Sequence, residues 1–163
     1  MLLVCTFESC KDDDLAKNDP PSIEFLKYDL IKDNQEKDSI LIIKFSFKDQ
    51  NGDFGLSKSD TLAPYDPGSP NQFNLWVDMY NLDLGTPEIL KQKGSNDPIN
   101  LNQRIPNLTP EGKNKEISGE ISVHFDASEL VLYPSKIQCN LIVLDRALNQ
   151  SNQISTGPID LEH

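Results

Sequence analysis

The residues best suited to bind a ligand lie in a short acidic segment that follows an apolar stretch. The segment D-Q-N-G-D-F-G, residues 49 to 55, places Asp49, Asn51 and Asp53 at alternate positions, with glycines that permit a tight turn. Oxygen ligands with this spacing suit a hard cation such as Ca²⁺. The segment is not an EF-hand, because its glycines are not at the sixth position and no Glu follows at the twelfth. It remains a candidate calcium loop.

A second group of candidates is aromatic. Trp76 lies on the polar side of an alternating segment, where a side chain is expected to face outward. Together with Tyr80 and Tyr65 it could form a platform for a sugar, because aromatic rings stack on the apolar faces of sugars. The alternative is that a long loop, residues 57 to 70, covers Trp76. Both interpretations are kept as hypotheses.

The sequence shows few of the residues and motifs that catalysis requires. His124 falls on the polar face of an alternating segment, and no second histidine of the predicted domain could complete a His-based zinc site. The chain contains no G-x-S-x-G, P-loop or G-x-G-x-x-G motif. Cys139 lies in a strand-like segment, where it is predicted to act as a small buried hydrophobe. We therefore expect that the protein is not an enzyme.

Composition narrows the class of partner. The 163 residues carry a formal net charge of −11, which excludes nucleic acid as the expected partner, because phosphate contacts need clustered Lys and Arg. No run approaches the roughly 18 to 20 apolar residues that span a bilayer. The length fits a single domain.

The N-terminal segment resembles a lipoprotein export signal. Cys10 follows an apolar run and a small residue, in the sequence F-E-S-C-K-D-D-D, residues 7 to 14. This sequence is similar to the lipobox of outer-membrane lipoproteins from Bacteroidetes-type bacteria, in which a basic and then acidic residues after the lipidated Cys direct export to the cell surface. The resemblance implies that residues 1–9 are the remnant of a signal peptide, that Cys10 carries lipid, and that Lys11, Asp12, Asp13 and Asp14 form the surface-export signal. Residues 10–21 end in two prolines and are predicted to be a flexible tether.

From residue 22 onward the sequence predicts strands and turns. Ser39 to Lys48 is the clearest example, since Ile43, Phe45 and Phe47 alternate with polar residues. Further strands are predicted at 23–28, 73–80, 117–125, 136–144 and 149–159, with weaker candidates at 84–92 and 99–105. The stretch 136–144 is nearly continuous in apolar residues at its end, which predicts a central strand buried on both faces. Seven or eight strands predict an all-β sandwich over residues 22–160; an up-and-down barrel is the alternative. Residues 161–163 are interpreted as an expression-tag remnant.

The body resembles a group of Bacteroidetes lipoproteins with an immunoglobulin-like domain. The residues that carry the resemblance are F-S-F-K-D-Q-N-G-D-F-G-L (45–56), R-I-P-N-L-T-P-E-G-K-N-K (104–115) and L-D-R-A-L-N-Q-S-N (144–152). The resemblance implies an immunoglobulin-like, fibronectin-III-like sandwich and an envelope location. It implies no activity.

This topology would bring two acidic segments together. In an immunoglobulin-like sandwich the loops that leave the second and the penultimate strands lie at the same end, so Asp145 and Asn149 are expected near the calcium loop. One interpretation is a calcium site built from both segments. The other, which the sequence favours, is that Asp49 and Asp145 cap their own turns by accepting backbone N–H groups.

The sequence as a whole predicts a lipid-anchored module of the outer membrane that faces the cell exterior. Its role would be binding or structural, with a glycan or another envelope protein as partner. The alternative function is a glycan-binding accessory lipoprotein of a polysaccharide-uptake system.

Overall fold

The chain folds into two antiparallel β-sheets that enclose one hydrophobic core. The computed structural model describes residues 19–109 and 116–163, in which seven strands and no helix are present. The strands are β1 (Ser22–Lys32), β2 (Asp38–Asp49), β3 (Leu75–Asn81), β4 (Glu88–Ile89), β5 (Ile117–Asp126), β6 (Lys136–Val143) and β7 (Ile154–Asp160). The predicted all-β class is confirmed.

The first sheet has three strands in the order β1-β2-β5. β2 is central, and its register pairs Phe45 with Phe25 on one side and with Ile121 on the other. Its side chains alternate as predicted, since Ile43, Phe45 and Phe47 are buried while Lys44 and Ser46 are half-buried and Lys48 is exposed. One face of the sheet therefore lies on the core and the other faces solvent.

The second sheet has four strands in the order β4-β3-β6-β7. Leu75, Val77 and Met79 of β3 point into the core, whereas Trp76 and Tyr80 lie half-buried on the outer face. The prediction that β6 is buried on both faces is wrong. Its burial alternates along its length, because the outer face of an antiparallel sheet is open to water.

The core is formed by apolar side chains from both sheets. Its largest fully buried members include Phe45, Leu41, Leu75 and Leu141. Burying one such side chain stabilises the fold by about 1.5–3 kcal/mol. Because β3 pairs with β6 and β2 with β5, and no strand of one sheet pairs with the other among the described residues, the alternative barrel is not formed.

The weak strand candidates behave differently from the prediction. Only Glu88–Ile89 of the stretch 84–92 forms a strand, and residues 99–105 contribute isolated bridges such as that between Leu75 and Gln103. Pro87 and Pro98 lack the N–H that a continuous ladder needs. Asn74 is buried, and its side chain fixes this segment by accepting a hydrogen bond from Ile105 N at 2.7 Å.

The final strand starts later than predicted, at Ile154. Residues 145–149 form a turn, and Gln150 contributes only an isolated bridge to Leu144. The C-terminal residues, set aside as a tag remnant, pack on the fold. Leu161 is buried and its N–H donates to Ser135 O at 2.8 Å, while Glu162 N donates to Asp38 Oδ2 at 2.7 Å. Residues 161–163 are therefore not outside the folded body.

Two findings bear on the expected membrane anchor. Cys10 and the predicted export signal, residues 11–14, lie outside the described residues. Within the described ranges, no helix has the length and apolar character needed to cross a bilayer.

Candidate functional site

The acidic loop leaves the end of β2 and is held against the second sheet. Phe54 is buried, stacks on Phe47 with ring centroids 4.5 Å apart, and forms a β-bridge with Asp145. The backbone N–H of Arg146 donates to Asp53 O at 3.0 Å. These contacts anchor residues 53–54 beside residues 145–146, so the two acidic segments meet at one end of the sandwich.

Asp145 caps the turn that follows it. Its Oδ1 accepts a hydrogen bond from Asn149 N and its Oδ2 one from Asn149 Nδ2, each at 2.8 Å. Leu148, with a φ of 67°, closes the turn by donating its N–H to Asp145 O at 3.2 Å. Both carboxylate oxygens of Asp145 are thus engaged by donors. For this residue the structure agrees with the capping interpretation.

Asp49 is different. It is only 1% exposed, and neither of its carboxylate oxygens has a hydrogen-bond partner. Burial, and then repulsion from Asp53 and Asp145, raise the pKa of Asp49 to about 6, while the nearby N–H groups of Asn51 and Asp53 oppose the shift without reaching bonding geometry. The capping role predicted for Asp49 is therefore not formed.

Asp53 also has a buried carboxylate oxygen without a hydrogen-bond partner, but only one, Oδ1. The pKa of Asp53 is raised, first by burial and then by repulsion from Asp145. Asn51 lies between the two aspartates in sequence, and its Oδ1 accepts the N–H of Asp53 at 3.4 Å. The loop thus presents unpaired carboxylate oxygens from two residues beside a third carboxylate.

Arg146, whose charge lowers the pKa of Asp53, forms its ion pair with another carboxylate. Arg146 forms a two-pronged ion pair with Asp60, with Nη1–Oδ2 and Nη2–Oδ1 distances of 2.6 and 3.1 Å. This pairing lowers the pKa of Asp60. Arg104 adds a hydrogen bond to Asp60 O at 2.9 Å. The sequence carries no signal for this ion pair, because its two charged partners are 86 residues apart and neither belongs to a recognisable motif.

The acidic side chains alone do not constitute a metal site. Within residues 19–109 and 116–163, no three His, Cys, Asp or Glu side chains are placed to hold a metal ion. Any cation here would need further oxygen ligands from amides, main-chain carbonyls or water, which Ca²⁺ accepts. Of the five residues predicted as calcium ligands, Asp145 and Asn149 are hydrogen-bonded to each other. The carboxylate oxygens that have no hydrogen-bond partner belong to Asp49 and Asp53.

The predicted aromatic platform is only partly assembled. Trp76 and Tyr80 share the outer face of β3, and Trp76 Nε1 donates to Phe73 O at 3.2 Å. The Tyr65 hydroxyl instead donates to Arg146 O at the acidic end of the molecule. Its position is set by the loop between β2 and β3, so a platform that contains all three rings is not formed.

A polar groove lies beside Trp76. It has a volume of about 230 Å³ and is lined by Pro70, Trp76, Asp78, Asn102, Asn140, Ile142 and Gln153. Pro70 forms one wall of the groove and is the last residue of the loop 57–70, the alternative cover for Trp76. The pairing of β3 with β6 sets Asp78 beside Asn140, while Asn102 comes from the segment that bonds to Val77 and Gln153 from the residue before β7. No local sequence signal marks these polar residues, because the fold brings them together from four separate segments.

Two residues considered for chemistry have simpler surroundings. Cys139 is fully buried in β6, and burial raises the pKa of its thiol to about 12. His124 lies exposed on β5, where its backbone carbonyl accepts a hydrogen bond from Gln103.

Comparison with protein-family models, with curated proteins and with solved structures finds no match to this chain. The function is therefore inferred from the residues and their geometry.

Proposed function

We propose that this protein is a binding or structural module of the cell envelope, anchored in the outer membrane through lipid on Cys10 and facing the cell exterior. The observation that carries the proposal is the F-E-S-C-K-D-D-D sequence just upstream of an all-β body. β1 begins at Ser22, twelve residues after Cys10. Twelve residues reach at most about 40 Å, enough to hold the sandwich clear of the lipid headgroups.

The fold assignment within this proposal is an immunoglobulin-like, fibronectin-III-like sandwich. An immunoglobulin domain of constant type has sheets of strands A, B, E, D and C, F, G, and variable domains add C′ beside C. Labelling β1 to β7 as A, B, C, C′, E, F and G yields sheets A-B-E and C′-C-F-G. The strand order supports the assignment, because only strand D of the constant-type pattern is missing.

Lipidation is tested in cells. The gene, with its own upstream sequence, is expressed in its native host in the presence of an alkyne-labelled fatty acid. The expected result is a labelled outer-membrane protein whose N-terminal residue is Cys10, and a Cys10→Ser variant that is unlabelled and absent from that membrane. Cys5→Ser serves as the matched control and keeps its label, since Cys5 is removed with the leader. A labelled Cys10→Ser protein, or a mature chain that retains residues 1–9, would contradict the proposal.

Orientation is tested on the same cells. Protease added to intact cells is expected to digest the wild-type protein. Replacing the three aspartates 12–14 by alanine is expected to leave lipidation intact and to protect the protein, because it would then face the periplasm. Equal digestion of both proteins would refute the role of these residues in export.

A second candidate function is glycan binding, and the groove beside Trp76 favours it. The accessible part of an aromatic ring stacks on the apolar face of a sugar, while carboxylate and amide groups exchange hydrogen bonds with the sugar hydroxyls. Asp78, Asn102, Asn140 and Gln153 supply such groups around the ring. Asn102 Oδ1 accepts Val77 N at 2.8 Å, which fixes the orientation of this amide beside the ring.

This candidate is tested on a glycan array followed by calorimetry with the best binder. Trp76→Ala is expected to weaken binding about tenfold or more, which corresponds to about 1.4 kcal/mol. Tyr65→Phe is the matched control, because Tyr65 lies at the acidic end, and it is expected to bind as the wild type does. An array without binders, or equal affinity of Trp76→Ala, would exclude the groove as a sugar site.

A further inference from the structure

The unpaired oxygens of Asp49 and Asp53 require a counter-charge. A buried carboxylate that lacks hydrogen-bond donors is strongly destabilising, and proteins offset it with a cationic side chain, a metal ion or a proton. Asp49 is the sharper case, because it is 1% exposed and both of its oxygens lack a partner. The neighbouring carboxylates of Asp53 and Asp145 repel the charge of Asp49 and so add to the cost of burying it.

Cationic side chains supply only part of the compensation, because the charge of Arg146 lowers the pKa of Asp53 without forming an ion pair with it. Arg146 is held by Asp60. Lys48, the residue before Asp49, is exposed on the opposite face of β2 and pairs with Glu116 at 2.9 Å. In the described part of the chain, no Lys, Arg or His forms an ion pair with Asp49 or Asp53.

We propose that a calcium ion binds at the end of β2, with the unpaired carboxylate oxygens of Asp49 and Asp53 as its charged ligands. Asp145 contributes negative charge from the adjoining turn but keeps its hydrogen bonds to Asn149. The remaining ligands are neutral oxygens from amide or carbonyl groups of the loop and from water, since two carboxylates cannot complete the six to eight ligands of Ca²⁺.

Calcium fits this loop better than magnesium does. Mg²⁺ demands near-ideal octahedral geometry and gives up its water reluctantly, whereas Ca²⁺ accepts irregular sets of oxygen ligands from loops. A site with only two charged ligands belongs to the weak end of the calcium range, with a Kd of about 0.1–1 mM, as extracellular modules have.

The test uses the 163-residue protein stripped with EDTA and titrated with CaCl₂ at pH 7.5, followed by thermal unfolding and calorimetry. At calcium ten times above Kd the wild-type Tm is expected to rise by about 3–6 °C, and MgCl₂ at the same concentration is expected to give less than half of that rise. Asp49→Asn and Asp53→Asn are expected to abolish the calcium response. Glu24→Gln removes one exposed acidic charge on β1 and serves as the matched control that keeps it.

Three outcomes would overturn the proposal. One is a wild-type protein with no calorimetric signal and no Tm change at 10 mM CaCl₂, a concentration about ten times the weak limit of Kd. Another is an equal response in Glu24→Gln and in both loop variants, which would reveal general charge screening. The third is a Tm that rises on lowering the pH from 7.5 to 5.5 while calcium has no effect, since a proton would then be the compensating charge. Having two loop variants keeps the test decisive if one of them fails to fold.

Discussion

Replacing Asp49 by Asn is expected to stabilise the metal-free protein at neutral pH. Burial and neighbouring carboxylates raise the pKa of Asp49 from 3.8 to about 6. The native state therefore binds this proton more tightly than the unfolded state does, and stability falls as the pH rises through the interval between the two pKa values. Above both values the full shift costs about 3 kcal/mol, at 1.36 kcal/mol per pKa unit.

The pH dependence isolates this effect from other consequences of the substitution. About one-third of the cost is already present at pH 4.5, so the stability advantage of Asp49→Asn should grow by about 2 kcal/mol between pH 4.5 and pH 7.5. For a chain of this size, that corresponds to about 4–8 °C in Tm. The free energy of unfolding is measured by urea denaturation in EDTA, with Trp76 fluorescence as the signal.

Asp60→Asn is the matched control, because it removes an aspartate at the same end of the molecule whose pKa is shifted in the opposite direction. The hydrogen bond from Arg146 lowers the pKa of Asp60, so its carboxylate stabilises the native state above the unfolded pKa and loses that contribution as the pH falls through the folded one. Asp60→Asn should therefore destabilise more at pH 7.5 than at low pH. If Asp49→Asn were less stable than the wild type by the same amount at both pH values, the reasoning about an uncompensated carboxylate would be refuted.

Further predictions concern packing and reactivity. Gly55→Ala should destabilise by more than 3 kcal/mol, because a Cβ there would lie 2.0 Å from Pro106 O, whereas Gly68→Ala, at nearly the same positive φ but in open space, should cost about 1–2 kcal/mol; equal losses in urea denaturation would deny the clash. Leu41→Ala removes a fully buried side chain of β2 and should cost about 2–5 kcal/mol; a loss under 1 kcal/mol would mean that the site is not packed as described. Cys139, with a pKa near 12, should not react with a thiol reagent at pH 8 until the protein is unfolded in denaturant, in a chain whose other cysteines are replaced by serine; rapid reaction of the native protein would contradict its burial.

The strands could be predicted from the sequence because their signal is local. Alternation of apolar and polar residues marks the buried face of β2 and β3 within a few residues, whatever the rest of the chain does. The same signal fails where the pattern is interrupted. Prolines and turn residues interrupt the pattern in 84–92 and 99–105, so these strands could not be assigned from it. In β6 the residues of the half-buried outer face are partly apolar, so the sequence wrongly predicted burial on both faces.

Some features of the candidate sites could likewise be predicted from the sequence, and others depend on the tertiary structure. By itself, the sequence determined the residue types at the acidic loop, the outward position of Trp76 and the segment around Cys10, because these follow from composition and period alone. The turn cap of Asp145 was also predicted, because its partner Asn149 is four residues away. Only the tertiary structure decided that the carboxylate oxygens of Asp49 have no hydrogen-bond partner, and that Arg146 is paired with Asp60, 86 residues away. The physical reason is that compensation of a buried charge depends on which groups the fold brings within hydrogen-bond distance, and distant pairings of this kind leave no periodic trace along the chain.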